Sequence, residues 1–359
     1  LPPGRNAAGE IDVGHYNDRA MHTAERELVM DISEPDAGVI DTMARLRGDL
    51  LLLGAAGKIG HGLALMAKRA IQQAGSKARV ICVSRFSSPG SRDPFEHDDI
   101  HTVACDLTDA EAVRNLPDAG DVIYLVGQKF GTAAGNESIT WLMNTFVPGI
   151  VAQRWSDSRI GVYSSGNVYA YVKADSDGPL EDGALGPIGE YAQSVIGRER
   201  VFEYYSRKNG TKMTHIRLNY ANEPRYGVLV DIATQIAGDK PIDLTQGYAN
   251  VVWATDCNRV TLRCLDIAAT PPTILNLSGP KISVRQAALK FGQRLGKDVK
   301  FTGEESDMAM LNNGENCWKR FGPMSVDVDE MIERIADWLQ AGHATWGKPT
   351  HFEVRDGKF

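Results

Sequence analysis

Residues 50–70 read LLLLGAAGKIGHGLALMAKRA. Four consecutive leucines suit a parallel strand covered on both faces, and the run after Gly60, rich in alanine and leucine, suits a helix. Gly54, Gly57 and Gly60 stand between them. In that setting the first glycine permits a tight turn, the second lets backbone approach a diphosphate, and the third lets helix and strand pack closely. The helix N-terminus adds oriented N–H groups and partial positive charge. This stretch therefore predicts a dinucleotide-binding loop, with Gly54, Gly57, Lys58, Ile59 and Gly60 as its contact residues.

Working outward, strand-like runs recur with helical stretches between them. They are ARVICVSR (78–85), HTVACDL (101–107), DVIYLVG (121–127), RIGVYSS (159–165) and KMTHIRL (212–218). Such alternation implies right-handed crossovers and an α/β fold with a doubly wound parallel Rossmann sheet. Further helical segments are expected at 256–268, 283–295 and 326–340. Ahead of the sheet, residues 1–32 are polar and lack a clear period, so they read as an arm. A short helix comes next, with Ser33 as N-cap, Gly48 at its C-terminal end and Val39, Ile40, Met43 and Leu46 as its apolar stripe.

Composition narrows the function classes. The chain has 359 residues, 43% of them hydrophobic and 24% charged, and a net charge of −7. That balance is ordinary for a globular protein and argues against a nucleic-acid or anionic-membrane surface. No apolar run approaches the roughly 20 residues of a membrane helix. The five cysteines (82, 105, 257, 264, 317) are scattered without CxxC spacing, so neither a disulfide framework nor a metal site is expected. The opening LPPGRNAAGE lacks the basic start and apolar core of a secretory signal, and a reducing cytoplasm is the expected compartment.

The GxxGxxG spacing, taken with the later segments of the chain, resembles the extended short-chain dehydrogenase/reductase superfamily and its NAD-dependent epimerase/dehydratase family. Several segments match in order from about residue 49 to 280. CDLTD places Asp106 and Leu107 where that family contacts adenine, and DVIYLVGQKFG places Val126 and Gly127 in its fourth-strand segment. WLMNTFVPG places Asn144 at its helix asparagine. GVYSSGNVYA matches its serine segment, EYAQSVIGRERV its tyrosine helix, and HIRLNYANEP its sixth-strand segment. The resemblance implies a Rossmann domain over 49–220, completed by about 250–278. It also implies a smaller C-terminal substrate lobe from 221–249 and 279–345. Residues 1–48 and the tail 346–359 fall outside the match; the tail reads as an edge strand or a latch.

Family chemistry moves a hydride between a substrate carbon and nicotinamide while a tyrosine moves the hydroxyl proton and a serine binds the reacting oxygen. Carried over, those residues are Tyr191 and Ser165. A lysine one helical turn after the tyrosine would bind the nicotinamide ribose and acidify the phenol, but Val195 stands there. A free tyrosine has a pKa of about 10, and a cation about 4 Å away is worth roughly one to three units. Arg198 lies about 10 Å further along the helix from Tyr191, too far for a good contact. Lys129, which begins a loop at a strand's carboxyl end, is the better replacement, expected to bind cofactor ribose or phosphate and to supply part of the missing field. Its position resembles a lysine of the galactose-epimerase branch, where this loop approaches the cofactor.

At the end of the second strand, where an acidic residue would select NAD, the sequence has Ser84 and then Arg85. A guanidinium can grip a 2′-phosphate through two hydrogen bonds, so NADP is favoured and NAD left open. Where nucleotide-sugar enzymes often carry an arginine, shortly before Asp256, this chain has Asn250 and Trp253. A smaller sugar, sugar acid or polyol is the expected substrate, with Arg225 and Lys173 as candidate carboxylate partners. Apolar-faced helices near 138–155 and 191–208 match those that form a family homodimer. Two readings remain: a redox enzyme, or a cofactor-binding sensor or scaffold weakened by Val195.

Overall fold

The computed structural model describes residues 13–129 and 135–358. Its centre is a seven-stranded, all-parallel sheet: β1 (Leu50–Leu53), β2 (Val80–Ser84), β3 (His101–Ala104), β4 (Asp121–Tyr124), β5 (Arg159–Ser165), β6 (Met213–Leu218) and β7 (Thr273–Leu277). The spatial order is β3-β2-β1-β4-β5-β6-β7. The order in which strands are added reverses at the parallel β1–β4 pair, which runs from Leu50 with Asp121 to Leu53 with Tyr124. That switch opens a crevice at the strands' carboxyl ends. Six of the seven strands coincide with the runs read from sequence. The seventh carries no comparable signal, because TILNL sits alone between irregular segments.

Alternate side chains of the strands enter two cores. Leu50, Leu52 and Ile123 pack with helix residues Leu63 and Met66 on one face. Leu51, Leu53, Val122 and Tyr124 pack with Val147 and Phe202 on the other. All of these leucines are fully buried, as a sheet covered on both faces requires. A separate core joins three helices to the segment around Trp253: α5 (Val228–Ala237), α6 (Val284–Leu295) and α7 (Val328–Gln340). Those helices belong to the stretches that the resemblance assigns to a substrate lobe.

The N-terminal region differs from the sequence expectation. Backbone from Val13 to Ile32 forms a helix, α1, where an arm is expected, while residues 1–12 of that arm lie outside the described residues. Ala24, Leu28 and Ile32, spaced four apart, make a short stripe that packs against Trp338. A stripe this brief is masked by the polar residues around it. The next helix, α2 (Ala37–Ala44), starts later than expected: Asp36 is its N-cap, accepting from Val39 N at 2.7 Å. Ser33 instead closes the preceding helix, donating to Met30 O at 3.3 Å. The tail forms no strand among its described residues.

Candidate active site

The first turn after β1 sets the site. Gly54 has φ +87°, a conformation that glycine adopts without strain, and its N–H bonds Val83 O at 2.8 Å. A Cβ on Gly60, the first residue of α3 (Gly60–Gln73), would lie 1.9 Å from Ala55 O, so any side chain there would force loop and helix apart. A Cβ on Gly57 would meet only Gly54 O, at 3.4 Å, and would project into the crevice. The loop therefore presents bare backbone and a helix N-terminus to open space, the arrangement a diphosphate needs.

That space is a cavity of about 610 Å³. Gly57, Lys58, Gly127, Lys129, Ser165 and Tyr191 all line it. Six of the expected cofactor contacts outside the glycine loop do not. Leu107 and Val126 are buried in the sheet core. Asp106 accepts from Thr108 N and Oγ1, and Arg85 is exposed beyond the cavity wall. Ser84 ends β2, outside the lining. The sixth, Asn144, acts from behind: its Oδ1 accepts from Gln128 N at 3.0 Å and its Nδ2 donates to Gln128 O at 3.1 Å. It lies in a wide π-helical turn, Leu142–Phe146, that aims the amide back at this loop.

Tyr191 sits in the first turn of α4 (Gly189–Asn209). Val195, one turn on, is fully buried with Val168, Tyr169 and the Tyr191 ring, an apolar contact where a charge has no place. The Lys129 ammonium stands 6.0 Å from the centre of the Tyr191 ring and 5.9 Å from that of Tyr220, and it donates to Thr350 O at 3.3 Å. Burial, then the nearby Lys58, lowers its pKa to about 8. Ser165 caps the 3₁₀ turn after β5, accepting from Asn167 N at 3.2 Å and donating to Asn167 Oδ1 at 3.1 Å. It also faces the cavity.

Arg198 departs from its sequence reading. Its guanidinium is buried and reaches the cavity wall, donating to Tyr163 O at 2.8 Å and to Asn144 Oδ1 at 2.5 Å. Gly127 makes this possible: a Cβ there would lie 2.8 Å from Nη2. The helical rise places Arg198 away from Tyr191, as expected, but a long side chain under a bare glycine still delivers charge to the cavity edge. Lys173, by contrast, lies exposed on a short ladder with Met308, outside the cavity. Arg225 lines the cavity but is bound in two places by Glu223, at 2.8 and 3.0 Å.

Sequence reading misses one whole wall. Trp346 stacks on Tyr226 at 5.7 Å, and its backbone N–H donates to Arg225 O at 3.0 Å. Thr350 gives both its N–H and its hydroxyl to Asp231 Oδ2, at 2.8 and 2.6 Å. With Lys348 these tail residues line the cavity, and Gly357 packs so closely on Gly189 that neither tolerates a side chain. The tail is a latch rather than a strand. Its mixed composition carries no periodic signal that could reveal this.

A bare-backbone turn at a sheet switch point, with a tyrosine, a serine and a lysine around one crevice, defines an α/β protein of the dinucleotide-binding class. Residues 50–244 match the model of the NAD dependent epimerase/dehydratase family, and the chain belongs to that family, whose members are enzymes. No curated protein matches the sequence. Among solved structures, UDP-glucuronic acid 4-epimerase from Bacillus cereus, in complex with UDP-glucuronic acid and NAD, is similar at TM-score 0.69 and 16% identity. The match covers 82% of this chain and 100% of that one. A dTDP-glucose 4,6-dehydratase from Streptomyces venezuelae, with NAD bound, is similar at TM-score 0.68 and 19% identity, covering 81% and 96%. UDP-glucose 4-epimerase of Thermotoga maritima matches at TM-score 0.67 and 17% identity, covering 82% and 99%. Among the described residues no helix is long and apolar enough to cross a membrane.

Proposed function

We propose that the chain is an NAD(P)-dependent oxidoreductase or epimerase acting on a sugar, a sugar acid or a related small polyol. The observation carrying this reading is that Tyr191, Ser165 and Lys129 share one cavity with the bare backbone of Gly57. When bound, the dinucleotide supplies the hydride acceptor for the substrate carbon. Tyr191 takes the proton of the substrate hydroxyl, and Ser165 exchanges its Asn167 Oδ1 partner for the reacting oxygen. Lys129 and Arg198 supply the positive charge that Val195 does not, the first beside the phenol and the second at the cavity edge. The sensor reading is less well supported, because a scaffold has no need to hold a lysine against this tyrosine. Incubation with either dinucleotide and a panel of sugars and sugar acids tests the proposal. Nicotinamide absorbance would report oxidation, and product analysis would report epimerisation; silence in both across the panel would refute it.

The cofactor form turns on Arg85. It is exposed at the end of β2, close enough to Asp106 to lower that carboxyl's pKa, though the largest cause there is the hydrogen bond from Thr108 N. Serine at 84 removes the charge that would repel a 2′-phosphate. NADP should therefore bind more tightly than NAD, and Arg85→Ala should remove that advantage. A wild-type preference for NAD would end this assignment.

The chain is also proposed to pair with a second copy. Ile139 (48% exposed), Leu142 (39%) and Phe146 (54%) line one side of the broken helix, and Tyr204 (59%) lies on the neighbouring α4. Sedimentation should show a dimer that Phe146→Asp dissociates, whereas a monomeric wild type would exclude it.

A further inference from the structure

Arg198 carries a buried charge whose partners are all neutral. Its Nη1 donates to Tyr163 O at 2.8 Å and its Nη2 to Asn144 Oδ1 at 2.5 Å. The third nitrogen, Nε, is enclosed and has no acceptor. Among the described residues no carboxylate forms an ion pair with this guanidinium. Glu199, its neighbour in the chain, is taken by Arg217 Nε and Nη2 at 2.9 and 2.8 Å. A guanidinium has five N–H donors, so two are engaged, one is enclosed and one on each Nη remains. Burying such a group without a counter-charge is costly unless further acceptors complete its bonding.

The sheet order places this cation between the glycine loop and Ser165. The glycine loop leaves β1, Gly127 follows β4 and Ser165 ends β5, with β4 lying between the other two strands. Neighbouring strands are about 4.8 Å apart, so a ligand running from Gly57 to Ser165 covers about 10 Å across the end of β4. In a dinucleotide, the group that joins the diphosphate to the nicotinamide is a ribose. Gly127 and Arg198 line the cavity together, and a Cβ on Gly127 would lie 2.8 Å from Nη2. Glycine is therefore what leaves the guanidinium open at that crossing. The guanidinium is also held in place, because its acceptor Asn144 is fixed by Gln128 N at 3.0 Å and donates to Ser194 Oγ at 2.9 Å. Two N–H groups on adjacent nitrogens of a rigid fork suit a pair of neighbouring oxygens.

We propose that Arg198 binds the ribose next to the nicotinamide, donating from Nη1 and Nη2 to its two neighbouring hydroxyl oxygens past the bare backbone of Gly127. This rests on the redox reading above, since the same cavity serves both. Calorimetric titration of the full chain with ADP and with ADP-ribose isolates the contact, because the second ligand adds that ribose without the ring. Their 2′-phosphorylated forms serve if NADP proves the tighter dinucleotide. Arg198→Met should weaken ADP-ribose by about tenfold or more, the scale of one charge-assisted hydrogen bond, and ADP by less than about threefold. Gly127→Ala keeps the guanidinium but sets a methyl against Nη2. It should give the same pattern, and it decides the matter if Arg198→Met does not fold. Equal losses for the two ligands, or ADP-ribose affinity that either variant leaves within about threefold of wild type, would overturn the inference. Failure of the redox reading would look different: the wild type would bind neither ligand.

Discussion

Tyr191→Phe should lower turnover by about 10²- to 10⁴-fold, the range spanned by loss of a positioned acid–base group. Dinucleotide affinity and the thermal midpoint should hardly move. The ring packs beside Val168, Tyr169 and Val195, and phenylalanine keeps that packing in full. Only the hydroxyl is removed, the group proposed to transfer the proton. Steady-state kinetics on whichever sugar or acid proves active, with calorimetric titration of the dinucleotide in parallel, separates the two effects. A variant that retained more than about a tenth of wild-type turnover would show that another group moves the proton. A variant that lost dinucleotide binding would show that the phenol holds the cofactor instead.

The glycine loop is readable because each of its glycines answers a local steric demand. Gly54 needs a positive φ, and Gly60 stands where any Cβ would strike Ala55 O. Such demands are met within seven residues, so they survive in the linear sequence. The strands are readable for a similar reason, since a strand buried on both faces leaves an unbroken apolar run. Sites assembled from remote segments leave weaker traces. Lys129 can be placed near Tyr191 only through its loop at a strand's carboxyl end and through family resemblance, because no spacing rule links residues 62 positions apart. Trp346, Lys348 and Thr350 leave none: their place over the cavity depends on contacts with Tyr226 and Asp231, the latter 119 positions from Thr350 in sequence. Helical rise alone dismisses Arg198. That measure ignores the reach of a guanidinium and the space left by Gly127. The helix α1 is hidden because its apolar residues, Ala24, Leu28, Val29 and Ile32 among them, are diluted among polar and charged ones.

Lys129→Met tests what stands in for the missing lysine. Taking the 6.0 Å between ammonium and ring centre as the separation, a unit charge there is worth about 0.7 kcal/mol in water and about 3 kcal/mol at an effective dielectric of 20. Negative charge developing on the phenol oxygen loses that stabilisation in the variant. Turnover should then fall by between about threefold and about a hundredfold. The pH dependence supplies a second signature. Burial and Lys58 pull the Lys129 pKa down to about 8, opposed by Glu353 and Asp231. Below that value the ammonium is charged and the wild-type advantage is complete. As pH rises through about 8 the proton is lost and the charge with it, so wild type and Lys129→Met should converge above it. Methionine keeps most of the side-chain volume against Tyr220, so the packing of that wall is preserved and the comparison isolates the charge. Lys129→Arg, which keeps its charge throughout, should hold the wild-type rate advantage past the pH at which lysine loses it. If Lys129→Met matched the wild type in both rate and cofactor affinity across the whole range, the buried guanidinium of Arg198 would be left as the cation serving Tyr191.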